Sequence, residues 1–250
     1  MSSKGIDGAL LILEYLPNSF GNKSENDYIT FLWEAFESNY QHGKYQFAIL
    51  SYHMLFMSFV YFSVWQIKIN RPDDYKKAAI FLANGRFGES DLLGASSPFT
   101  LSKLEERTIF RLLRLIGCEM EHLKPFTQLV DERNKIAHSN GNIFFRDQTA
   151  ADHKITGILQ QIGAIQNHMR PVVHDCLGLF LENSWNSDKW QYVDQTDQIR
   201  EVLVHPNYFS QKNIEACLIF DINSLSDHEH FEAIKELFEA FVIAYRQDEG

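Results

Sequence analysis

Between Asp131 and Gly141 the chain reads Asp-Glu-Arg-Asn-Lys-Ile-Ala-His-Ser-Asn-Gly, which sets an arginine, a carboxamide and a histidine within six residues. An imidazole titrates near pH 6.5, so it can both take and give a proton in neutral water. A guanidinium beside it can neutralise charge that grows in a transition state. The pair suits metal-free RNA cleavage: the 2′-hydroxyl attacks, His138 moves a proton and Arg133 offsets the charge on the phosphorane. Asn134 is the natural third member, either bonding a phosphate oxygen or holding His138 in one tautomer.

The segment upstream has to present these side chains. Phe126, Leu129, Val130, Arg133, Ile136 and Ala137 recur at the three-four spacing of one buried helical face. Arg133 falls in that apolar row, where a charge is costly unless it meets a partner or an anion. Asn134 and His138 are four apart and share a neighbouring face. Ser139-Asn140-Gly141 reads as the helix C-terminus, with glycine free to take positive φ. On an ideal helix, residues five apart point about 140° apart around the axis. One copy therefore turns Arg133 and His138 away from each other, whereas two copies across a two-fold axis bring two of each to a shared cleft. The expectation is a homodimer with a composite site.

Arg133-Asn134-x-x-Ala137-His138 resembles the R-N-x-x-A-H form of the motif carried by HEPN domains, all-α modules of prokaryotic toxins, abortive-infection proteins and CRISPR-associated ribonucleases. The resemblance covers residues 28–183, and its specific part is the six-residue motif. It implies a metal-independent endoribonuclease with its site at a dimer interface, a toxin or phage-defence role, and an antitoxin or defence-system partner protein. RNA is the implied substrate, DNA is not cut, and the products carry a 2′,3′-cyclic phosphate and a 5′-hydroxyl. Arg133 and His138 are the implied catalytic pair, with Asn134 beside them, and no cofactor or metal is called for. Two looser matches, Arg146 to His153 and Arg200 to His205, lack the following Asn and the Ala before His. Two other readings stay open. One is a helix end where Arg133 pairs with a carboxylate and His138 caps carbonyls. The other is a non-catalytic RNA- or protein-binding regulatory module.

Charge restricts the partners. The net charge is -10, the wrong sign for a general nucleic-acid binder. Its distribution matters more: residues 182–250 hold 14 acidic and 5 basic side chains, whereas residues 1–181 hold 19 and 18. Lys103, Arg107, Arg111 and Arg114 form a basic stripe just before the motif, and with Lys135 they are the expected phosphate track. No phosphate-binding glycine loop, dinucleotide fingerprint, nucleophile elbow or His-Glu-x-x-His pattern occurs. The three cysteines are scattered, and Met1-Ser2-Ser3-Lys4 lacks a leader pattern, so a cytoplasmic protein is expected.

The expected architecture is mainly α. Residues 1–27 form an N-terminal extension, 28–183 a HEPN-like helical bundle, and 184–250 an acidic C-terminal appendage, either α/β or mostly α. Helices are predicted over 28–41, 75–83, 101–117, 118–138 and 150–183, with Pro125 kinking or restarting the fourth and Pro171 kinking the last. From Tyr45 to Ile67 no residue is charged, which is long enough to span a membrane. Ser51, Tyr52, His53, Ser58, Tyr61 and Ser63 interrupt it, so it is read as a central helix wrapped by others, without a membrane. Strands are predicted at Ile214–Ile222 and Val202–Val204. Asp227 is read as the N-cap of a final helix.

Overall fold

The computed structural model describes residues 4–82, 88–138 and 141–246. Its centre is the uncharged stretch, which forms helix α3, Tyr45–Asn70. By length and composition this helix passes as a membrane span, yet 78% of its most apolar window is buried inside the protein. Its polar side chains explain why it fits there. Ser58 and Ser63 donate back to the carbonyls of Met54 and Phe59, and Tyr52 donates to the Ala9 carbonyl. Gln66 donates to the carbonyls of Asn207 and Tyr208 and to Asn213 Oδ1. Buried polar groups satisfied this way cost little.

Ten further α-helices surround or extend this core among the described residues: α1 Lys4–Leu10, α2 Lys23–Gln41, α4 Pro72–Leu82, α5 Glu89–Leu93, α6 Glu106–Leu112, α7 Met120–Ala137, α8 Gln148–Ser184, α9 Gln195–Gln198, α10 Gln211–Leu218 and α11 Phe231–Arg246. The protein is mainly α, and no strand occurs among the described residues. Helices α2, α8, α7 and α6 pack on α3. Their apolar residues form one core with it, while Val173 to Leu181 of α8 joins the π-helical segment Ile199–Val204, α10 and α11 in a second cluster.

Several boundaries differ from the sequence reading. Helix α2 starts at Lys23 rather than residue 28, because the Asn22 side chain accepts from Glu25 N–H and caps it. The helix predicted over 101–117 is three pieces: a 3-10 turn Pro98–Lys103, α6, and a 3-10 turn Leu113–Ile116 closed by Gly117 at φ 81°. Pro125 neither breaks nor restarts α7, which runs through it. Neither predicted strand forms. Ile214 lies in α10, which Ser210 and Asn213 start with a reciprocal capping box. Val202–Val204 belongs to a π-helical segment, Ile199–Val204, that continues α9. The final helix begins at Phe231, not Asp227, and His230 stacks on Trp185 at 3.6 Å between ring centroids. Met1–Ser3, Asn84-Gly85, Ser139-Asn140 of the motif segment and the last four residues lie outside the described residues.

Candidate functional site

Helix α7 buries Leu123, Phe126, Leu129, Val130 and Ile136 against the core, which turns Arg133 inward as its spacing requires. The partner that Arg133 meets is Glu106, in the first turn of α6. Arg133 Nη2 donates to Glu106 Oε1 at 2.5 Å. The other oxygen of the same carboxylate, Oε2, lies 3.2 Å from His53 Nε2. His53 sits mid-way along α3 and is 4% exposed. An ionised carboxylate only accepts, so this contact places the ring proton on Nε2. One carboxylate thus ties α3, α6 and α7 together.

Charge balance at this knot is readable. Burial alone raises the Glu106 carboxyl, but the hydrogen bond and charge of His53 and the Arg133 guanidinium outweigh it and hold it below the usual carboxylate value. Tyr61, on α3 nearby, is pushed well above the ordinary phenol value by burial, with the Glu106 charge adding to it. It stays protonated. Because the Glu106 carboxyl is depressed in the folded chain, its contribution to stability is present above the unfolded value of about 4.3 and is lost as pH falls through the folded value. The expected result is an unfolding midpoint in urea that drops as pH falls below about 4.3. Glu106→Gln flattens that drop, as measured by urea titrations across pH.

His138 lies elsewhere. Helix α7 ends at Ala137, and His138 takes extended backbone angles, φ −85° and ψ 136°, as its C-cap. Its N–H still reaches the Asn134 carbonyl at 3.0 Å, and Gly141 then turns with φ 75°. Because His138 has left the helix, the ideal five-residue angle to Arg133 no longer describes it. Its ring is exposed and makes no hydrogen bond among the described residues, and neither does the Asn134 side chain. The structure therefore does not join Asn134 to His138 through their side chains, nor Arg133 to His138 within one copy. The sequence reading leaves His53 as either a core histidine or a neighbour of the site, and it missed Glu106 and Tyr61 as neighbours of Arg133. The one available signal for Glu106 was the need of Arg133 for a buried partner.

The basic residues are all exposed but not contiguous. Lys103 ends a 3-10 turn, Arg107 and Arg111 lie on α6, and Arg114 lies on the next turn. Arg107 pairs with Asp131 of α7 and Arg114 with Glu119 at 3.4 Å, so both of these charges are already answered. Arg111 has no ion pair among the described residues. Lys135 opens instead onto a cleft of 560 Å³ between α7, the connection at 141–147 and α8, whose walls include Phe144, Phe145, His153 and Lys154. Lys154 pairs with Glu132 there.

The two looser motif matches are resolved by local contacts. Arg200 bonds Asp197 and Glu201, and His205 bonds Glu201 at 3.1 Å, so that match is consumed by its own helix. Arg146 Nε reaches the Ile143 carbonyl, at 3.4 Å, while His153 faces the cleft beside Lys135. Comparison of the chain with protein-family models, curated proteins and solved structures finds no match.

Proposed function

We propose that the protein is a metal-independent endoribonuclease of HEPN type, a toxin or phage-defence effector acting in the cytoplasm as a homodimer. Arg133 and His138 are its catalytic pair, and Asn134 positions the phosphate. The observation that carries this reading is the Arg133-Asn134-x-x-Ala137-His138 segment at the end of α7, with its imidazole exposed where a second molecule can reach it. A composite site fits the arrangement. Within one copy Arg133 turns toward α6 while His138 faces out, so a second copy has to complete the pair. The cleft beside Lys135 adds support, since an exposed aromatic next to Lys and His suits a base stacked above a bound phosphate.

The test is cleavage of a structured RNA by the purified chain in EDTA, alongside the same sequence as DNA and with a single 2′-deoxy substitution at the cut site. Cleavage of RNA alone, leaving a 2′,3′-cyclic phosphate, is the expected result. Cutting of the DNA, or loss of all cutting in chelator, overturns it. At the cleft, Phe144→Ala is expected to weaken RNA binding by about 1–3 kcal/mol, measured by fluorescence anisotropy. The residue is 42% exposed, and urea unfolding of the variant separates a loss of binding from a loss of folding.

The rival reading rests on the same guanidinium. The Arg133–Glu106 ion pair favours a helical module in which Arg133 is structural and RNA or a protein is bound without being cut. An RNA that binds and stays intact, with Arg133→Ala unfolding the chain, supports that module instead.

A further inference from the structure

A second cavity, of 640 Å³, opens between α2, α3, the 3-10 turn Pro98–Lys103 and α6. Its chemistry differs from the RNA-facing end. Three aromatic rings line it in one connected group: Phe99 meets Tyr28 edge-on at 5.1 Å and Tyr61 edge-on at 6.0 Å between centroids. Met54 and Met57 add soft apolar surface. Glu25 and Glu106 supply carboxylates, and no lysine, arginine or histidine lines it among the described residues. Tyr61 is 9% exposed, yet its hydroxyl has no hydrogen-bond partner among the described residues.

The two carboxylates are not equivalent. Glu106 is answered by Arg133. Glu25 is 3% exposed and accepts from Ser97 Oγ at 2.5 Å, Gly21 N–H at 3.0 Å and the Tyr208 hydroxyl at 3.2 Å. All three donors are neutral, so its charge has no cation opposite it among the described residues. A site with aromatic faces, thioethers and one unmatched negative charge selects against anions and against neutral molecules. Rings presented this way attract a cation that sheds its water readily, and alkylated ammonium groups do so.

We infer that this cavity binds an organic ammonium ion, its charged head among Tyr28, Tyr61 and Phe99 and its alkyl part against Met54 and Met57. The site stands whether or not the chain cuts RNA. A head seated near Glu106 shares that carboxylate with Arg133, so occupancy is felt at the motif helix.

Choline is the probe, and 3,3-dimethyl-1-butanol, its uncharged isostere, is the comparison, both titrated calorimetrically into the full chain. The expected result is saturable choline binding at one site per chain, with the isostere weaker by about ten-fold or more. Met54→Lys and Ser102→Lys place a cation on the exposed rim without touching the core and are expected to abolish the binding. Tyr61→Leu tests the cage itself, with thermal unfolding confirming that it folds. Absence of saturable choline binding, an isostere that binds equally, or binding unchanged in both lysine variants overturns the proposal.

Discussion

His138→Ala is expected to slow RNA cleavage by about 10²–10⁴-fold while leaving the fold as stable as before, within about 0.5 kcal/mol. The two halves of that statement come from different facts. A positioned acid–base group contributes a factor of that size when it moves a proton in the transition state. The ring itself is exposed and makes no hydrogen bond among the described residues, so its loss leaves their packing intact. A purely structural histidine would give the opposite pattern, lost stability and no specific loss of rate. Single-turnover cleavage, with urea unfolding of the same sample, separates the two. If alanine at 138 cuts as fast as the parent chain, the nuclease assignment fails. Arg133→Ala cannot be read so simply, because it also breaks a contact inside the core. Its rate is interpretable only after its stability is known.

Much of the fold was legible because helix packing writes its period into sequence. The uncharged Tyr45–Ile67 run forms a core helix, and Tyr52, Ser58 and Ser63, among the polar residues that argued against a membrane, bond inside the protein. The apolar row ending at Ile136 was legible for the same reason. What failed were short apolar runs. Ile214–Ile222 reads as strand by its β-branched content, and only the Ser210–Asn213 capping box decides for helix, a cue four residues ahead of the run. The site was half legible. That Arg133 needed a partner follows from its place in an apolar row, but Glu106 lies 27 residues upstream and is chosen by how α6 crosses α7. Likewise the angle between Arg133 and His138 presumed a helix that continued, and the chain leaves it at Ala137.

Glu106→Ala is expected to destabilise the chain by about 3 kcal/mol, roughly a hundred-fold in the folding equilibrium. The side chains of Glu106 and Arg133 are 17% and 30% exposed, so the pair is screened less than a surface ion pair and more than a fully buried one. That places the loss at the low end of the range for breaking a buried pair. The cost lies in what remains: a guanidinium facing inward and a His53 ring proton, both without an acceptor. Glu106→Gln should cost less, because the amide oxygen still accepts one bond and His53 can change tautomer to accept the other. Removing both charges tests the cause directly. If the stranded guanidinium is the main cost, Glu106→Ala combined with Arg133→Leu is more stable than Glu106→Ala alone, and a double-mutant cycle in urea measures that coupling. Additive losses would mean that the carboxylate and the guanidinium meet without depending on each other, and α6 would then hold α7 through apolar packing around Phe110 and Phe126 and the Arg107–Asp131 ion pair.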